Sequence, residues 1–182
     1  MARGPQTDAA MNEVSSTGLV APQNVDLDPL TGLPSRTAIL AELDRRLLEQ
    51  SGGVAVLHLD LDEFKDINDG YGHKVGDGVL MEVAERIQRT LRREDAVGRF
   101  GGDEFLVLST SGAGDDALAL SNRIVEAVAH PVRFGTVQVT PRASGGLAIS
   151  LDGELTTDQW SPTPTSRCRR RSGPRWTCRS PT

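Results

Sequence analysis

Asp60 and Asp62 alternate with Leu59 and Leu61 where a run of branched apolar residues gives out, and Asp103 and Glu104 stand far along the chain behind the pair Gly101-Gly102. Carboxylates at strand ends are held by a sheet yet open to solvent. Hard oxygen ligands with few contacts of their own suit Mg²⁺, which keeps several waters and shares its remaining positions with substrate phosphates. Two such ions can clamp the attacking and leaving oxygens of a phosphoryl transfer. If the segment carrying Asp103 pairs beside the strand that ends at Asp60, the two acids converge. Acids also collect at strand ends simply because they are soluble there, and spacing alone does not separate the two explanations.

The charge balance bears on the same question. The chain has 182 residues, 20 basic against 25 acidic side chains, and 37% apolar residues, which fits one globular domain with loose ends. Residues 161–182 hold six arginines (Arg167, Arg169, Arg170, Arg171, Arg175 and Arg179) and no acid, so residues 1–160 carry fourteen bases against 25 acids, a formal −11. Such a field does not attract a nucleic acid polymer. It can accept a polyanionic nucleotide if divalent cations lie between the two. No apolar run of about 18 residues suggests a membrane span, and the first twenty residues lack the basic-then-apolar order of a secretory signal, so a cytoplasmic protein is expected. Cys168 and Cys178, with no histidine near them, make neither a zinc site nor an expected disulfide.

The elements that must position the acids follow from periodicity. Ile39, Leu40, Leu43, Leu47 and Leu48 predict a helix over 35–50, and Val54–Leu59 reads as a strand covered on both faces. A polar, glycine-bearing stretch, 62–76, precedes a helix through Val79, Leu80, Val83, Ala84, Ile87 and Leu91, with Asp77 as its N-terminal acid. Strands over 96–100 and 105–108 flank Gly101-Gly102-Asp103-Glu104 as a hairpin. A helix over 115–129 and strands over 136–140 and 144–149 complete the order α-β-α-β-β-α-β-β. That order predicts an α+β sandwich of ferredoxin-like or palm type, a largely antiparallel sheet flanked by helices. Residues 1–24 read as a disordered linker, 25–155 as the domain, and 156–182 as a disordered basic tail.

The wording of three segments goes further than their spacing. Gly101-Gly102-Asp103-Glu104-Phe105 is the signature of the GGDEF domains, the diguanylate cyclases, which the chain resembles from about Asp28 to Ser150. Asp28-Pro29-Leu30-Thr31-Gly32-Leu33-Pro34-Ser35-Arg36 is similar to the family's opening motif D-x-L-T-G-L-x-N-R, with Ser35 where Asn is usual. Asp60 through Asp69, then Gly70-Tyr71-Gly72-His73 and Gly76-Asp77, matches the family's metal and guanine segment.

The resemblance implies a set of roles. Asp60, the carbonyl of Leu61 and Asp103 would bind two Mg²⁺ ions per site, with Mn²⁺ as a substitute. Asn68 and Asp77 would read the guanine edge, with Phe64 also in the substrate site, and Lys65 would meet the phosphates. Glu104 would assist at the metal or at the attacking 3′-hydroxyl, joining Asp103 and Lys65 as catalytic residues. Gly101 and Gly102, without Cβ atoms, would let the α- and β-phosphates approach the backbone. Lys65 and Lys74 are the chain's only lysines. One domain holds one GTP, so joining two guanylates into cyclic di-GMP implies a homodimer. Arg92 and Asp95 fit the family's R-x-x-D product-inhibition site, although a solvated helix end with cations near its C terminus places Arg92 equally well.

After Ile149 the resemblance ends. The family's last helix, and the loop whose Lys and Arg hold the triphosphate, have no counterpart in the wording here; restoring a C lost from a Leu codon after Gln159 would convert 160–168 into Leu-Val-Ala-Asp-Ala-Asp-Val-Ala-Met, the wording of that helix. The expected function is therefore a diguanylate cyclase domain impaired by its C-terminus. The alternative is an inactive module that binds GTP or cyclic di-GMP as a sensor.

Overall fold

A computed structural model of the chain describes residues 26–49, 53–110 and 114–150, with two short backbone segments at 168–170 and 177–178. Strand β1 (Val54–Leu61) is the axis of the fold, with β3 (Glu104–Ser109) antiparallel on one side and β6 (Ala143–Ser150) antiparallel on the other. Its alternating side chains serve two separate cores. Ala55, Leu57, Leu59 and Leu61 pack with α3 (His73–Thr90) and α4 (Gly114–Val128), while Val54 and Val56 pack with Ile39 and Leu43 of α1 (Arg36–Glu49). Burial on both faces explains why β1 reads as a nearly continuous apolar run. Strand β2 (Ala96–Arg99) closes the sheet beyond β3, with Gly98 pressed so closely to α1 that a Cβ there would stand 2.6 Å from the Ile39 Cβ. The architecture is the expected α+β sandwich, an antiparallel sheet between helices.

Several elements differ from the sequence reading. The stretch 62–76 is mostly helical: α2 (Phe64–Tyr71) precedes α3, which begins at His73. Phe64 and Ile67, three residues apart, pack on the larger core and supply the stripe that the glycines concealed. The break between the helices is Gly72, at φ 84° and ψ 157°, a region essentially reserved for glycine. Asp77 is consequently in the second turn of α3 rather than at its start. Strand β4 (Val132–Phe134) was not expected; it pairs with β5 (Val137–Val139) around Gly135, at φ 60°, and its three residues are too few to show a period beside Pro131.

The segment expected to be a disordered tail contributes strands β7 (Cys168–Arg170) and β8 (Thr177–Cys178), added antiparallel beyond β6. The edge of β6 offers a row of backbone donors and acceptors to any extended chain, so pairing there needs no apolar period. The expected linker at 1–24, and most of 151–182, where a missing last helix and a change of reading frame were expected, lie outside the described residues.

Before the sheet, residues 26–35 form a closed turn. The Asp28 N–H donates to the Leu33 carbonyl (2.7 Å), Gly32 N–H to the Asp28 carbonyl (2.9 Å) and Ser35 N–H to the Asp26 carbonyl (2.7 Å), while Leu33 is fully buried. At the junction of β1 and α2, Glu63 is the single non-glycine residue with positive φ among the described residues (φ 56°, ψ 28°). A left-handed L-residue costs about 1–2 kcal/mol, most for a branched side chain. Glu63→Val is therefore expected to lower unfolding stability by about 1–2 kcal/mol in urea titration, and Glu63→Gly to leave it within about 1 kcal/mol of the parent; equal losses in both variants would contradict a steric origin.

Candidate active site

The register of β1 against β3 sets the acids together. Asp60 lies opposite Glu104, and the Leu61 N–H donates to the Asp103 carbonyl at 3.2 Å, so residues far apart in sequence meet at one end of the sheet. Asp60, Asp103 and Glu104 are all half-buried. Partial burial pushes the Asp60 carboxyl up to about 6, with the negative fields of Asp103, Glu104 and Asp62 adding to the effect. The four carboxylates repel one another, and a bound cation would relieve that repulsion.

Among the described residues no three carboxylate, imidazole or thiol side chains gather as a finished cage. The donors present are carboxylate and carbonyl oxygens at Asp60, Leu61 and Asp103. That set suits an ion that keeps part of its water shell and finishes its coordination on phosphate oxygens.

Glu104 has a distinct neighbour. His58, two positions before Asp60 on β1, brings Nε2 to 3.5 Å from Glu104 Oε1. Burial holds the imidazole below its ordinary value, and the Glu104 carboxylate opposes that only in part. His58 meets the Phe100 ring edge-on, at 5.7 Å between centroids, and the Arg36 guanidinium covers Phe100 at 4.2 Å.

The two glycines of the turn differ in their surroundings, and neither has positive φ. A Cβ at Gly101 would stand 2.5 Å from the Glu104 carboxylate. A Cβ at Gly102 would meet nothing within 4 Å, because that residue faces open space where a ligand can reach the backbone. The turn closes through N–H donations from Phe100 (2.8 Å) and Gly101 (3.3 Å) to the Glu104 carbonyl.

A second cluster forms where α2 crosses α3. Gly76 is packed so tightly that a Cβ would run into Asn68 Oδ1 and approach Phe64 at 3.3 Å. Phe64, Asn68 and the Gly76-Asp77 pair are thus neighbours, with Asp77 exposed on the following position. Gly76 is a positioning residue that the sequence reading did not single out; its signal is the small residue immediately before a polar candidate. Lys65 and Lys74 are both exposed, on α2 and α3 respectively.

Arg92 and Asp95 are not part of this assembly. They precede β2, whose first residue pairs with Leu108 and whose last pairs with Phe105, so the length of a four-residue strand, about 13 Å, separates them from the turn. Asp95 accepts from the Arg92 N–H (3.0 Å) and donates its own N–H to the Arg92 carbonyl (3.2 Å), which ties the loop; the Arg92 side chain is exposed.

Comparison with known proteins identifies the family. The family model "Diguanylate cyclase, GGDEF domain" matches residues 25–163. The bifunctional diguanylate cyclase/cyclic di-GMP phosphodiesterase MucR of Pseudomonas aeruginosa is 38% identical over 125 residues, covering 67% of this chain and 18% of MucR. The diguanylate cyclase TpbB of the same species is 44% identical over 111 residues, 59% of this chain and 26% of TpbB. The chain therefore spans about a fifth to a quarter of the length of these curated relatives. Among solved structures, the GGDEF domain of DgcB from Caulobacter crescentus, in complex with c-di-GMP, superposes with a TM-score of 0.67 at 28% identity, over 74% of this chain and 82% of that one.

The repulsion at Asp60 gives a measurable sign. A carboxyl whose folded value lies near 6, above its ordinary 3.8, weighs against folding once it ionises: the burden is absent below about pH 4 and complete above about pH 6. In chelator, Asp60→Asn is expected to raise Tm at pH 7.5 and to give no gain near pH 4. Excess Mg²⁺ should then raise the parent's Tm and leave the variant's unmoved. A lower Tm for the variant at pH 7.5 in chelator would remove the repulsion argument.

Proposed function

Since this chain belongs to the GGDEF family, we propose that its domain is a diguanylate cyclase, which condenses two molecules of GTP into cyclic di-GMP and two pyrophosphates. The observation that carries the reading is the register that sets Asp60 beside Asp103 at the sheet end, next to an open glycine turn. Bound divalent ions, as Mg²⁺ or Mn²⁺, would neutralise phosphate charge and favour ionisation of the attacking hydroxyl. Asp60, the Leu61 carbonyl and Asp103 would hold them.

The remaining steps fall to the chain itself. Gly102 leaves room for the α- and β-phosphates against the turn, and Lys65, exposed on α2, would meet them. Asn68, fixed by Gly76, and Asp77 accept from the guanine ring N–H and exocyclic amine, with Phe64 beside the base. Glu104 stands where a 3′-hydroxyl enters. That oxygen forms a bond to the α-phosphorus of the partner's GTP, the bond to pyrophosphate breaks, and the hydroxyl proton leaves; the event occurs twice in a homodimer of facing domains. Positioning supplies most of the acceleration in such transfers. No helix among the described residues is long and apolar enough to cross a membrane, and GTP as the substrate supports a cytoplasmic location.

A second reading has its own support. The wording after Ile149 lacks the Lys and Arg that the family uses for the triphosphate, which favours a module that binds GTP or cyclic di-GMP without turnover. Arg92 and Asp95 would then be the product-binding pair, at a distance from the turn.

The full chain with Mg²⁺ and radiolabelled GTP is expected to release cyclic di-GMP, and Asp60→Ala or Asp103→Ala to lower the rate at least 100-fold. Calorimetric binding of cyclic di-GMP, lost in Arg92→Ala, together with no turnover would select the sensor. Gly76→Ala, which displaces Asn68, is expected to raise the KM for GTP several-fold with a smaller change in kcat; an unchanged KM would dissociate Asn68 from base recognition.

A further inference from the structure

The guanidinium of Arg99 is shared between two loops that the chain separates widely. Its Nη1 donates to both oxygens of the Asp28 carboxylate (3.0 and 3.1 Å), and its Nε and Nη2 donate to the Gly102 carbonyl (3.1 and 2.6 Å). The Arg99 N–H also donates to the Pro34 carbonyl at 2.9 Å. Asp28 is itself fixed, because one carboxylate oxygen accepts from the Thr31 N–H (2.8 Å) and the Thr31 hydroxyl (2.7 Å). Burial alone would raise the Asp28 carboxyl; the Thr31 and Arg99 donors outweigh it and hold the group below its usual value, so it is ionised at neutral pH. The ion pair is 15% and 18% exposed on its two sides, much drier than Arg45–Glu49 on α1 or Arg89–Glu85 on α3. The guanidinium forks between the two loops: Nη1 serves both carboxylate oxygens while Nε and Nη2 converge on the Gly102 carbonyl, so one rigid planar group reaches both at once, which the single ammonium of a lysine cannot do.

Gly102 needs such a hold. It faces open space, and the hairpin's own hydrogen bonds stop at the Phe100 and Gly101 amides, while the Gly102 carbonyl accepts from the Arg99 guanidinium. We propose that Arg99 is a positioning residue, anchored by Asp28, which fixes the peptide between Gly102 and Asp103 and thereby ties the placement of the Asp103 carboxylate to the closed turn 26–35. The inference rests on the cyclase reading for its catalytic consequence, though its geometric core does not. Because coupling between sites is reciprocal, whatever orders the signature turn also orders 26–35.

The test follows amide hydrogen exchange in the full chain, resolved at Phe100 and Gly101 in the signature turn, at Thr31 and Gly32 in the opening turn, and at Ile124 in α4 as a control. Asp28→Asn removes the charge without removing volume, and Arg99→Lys keeps charge but cannot fork. In both, exchange at Phe100 and Gly101 is expected to accelerate at least tenfold while Ile124 keeps its parental rate. The double variant is expected to be no faster than either single one. Acceleration confined to Thr31 and Gly32, uniform acceleration that includes Ile124, or additive effects would each overturn the proposal. Where the parent turns over GTP, Asp28→Asn should lower kcat at least fivefold and keep KM within twofold, and an unaltered kcat would count against the link to Asp103. A parent that neither binds nor turns over GTP, yet shows the exchange coupling, would remove the cyclase reading and leave the positioning inference standing.

Discussion

An antiparallel sheet fixes which residues face one another across its strands, and in this molecule the pairing of β1 with β3 sets ionisable carboxylates side by side at a strand end. Hydrophobic burial along the rest of β1 supplies the force that holds them: Leu57 and Leu59 on one face and Val54 and Val56 on the other are almost wholly removed from water, each worth about 1.5–3 kcal/mol. A slip of one residue would turn both apolar sets to the wrong cores. The register is thus protected by two cores at once, and the acids inherit its precision although they repel each other. The raised Asp60 carboxyl reflects its partial burial first and that repulsion second.

Glycine has mechanical work at several points around this end of the sheet, and the work differs from place to place. Gly72 supplies a backbone geometry closed to other residues, which lets α2 and α3 meet at an angle. Gly76 and Gly101 supply absence of volume, one for the Asn68 amide and one for the Glu104 carboxylate. Gly102 supplies access. A reading that treats these residues as generic turn markers misses that only Gly72 among the four is used for its dihedral freedom.

The legibility of the fold followed burial. Helix α1, strands β1 to β3, helix α4 and strand β6 have long or doubly covered apolar patterns, and their sequence boundaries fall within a residue or two of the structural ones. Helix α2 was hidden because it uses only Phe64 and Ile67 against the core and spends its other positions on solvent. β4 was hidden by brevity, and β7 by the nature of its pairing, which depends on the backbone of β6 rather than on side-chain type. The polar residues of the site were legible as motifs. Their supports, Gly76 beneath Asn68 and Arg99 between Asp28 and Gly102, were not, because a contact across 71 positions leaves no local pattern.

By itself the sequence determined the class of fold, the family and the motifs that carry the acidic, amide and glycine residues near the end of β1, since these depend on local periodicity and on the order of side-chain types. Only the tertiary structure decided that Asp60 faces Glu104, that Asp77 lies inside a helix, that Arg92 and Asp95 stand apart from the turn, and that Arg99 joins the two loops. The reason is physical: register, packing depth and shared hydrogen bonds are set by pairs of surfaces brought together from distant parts of the chain, and neither surface alone contains them.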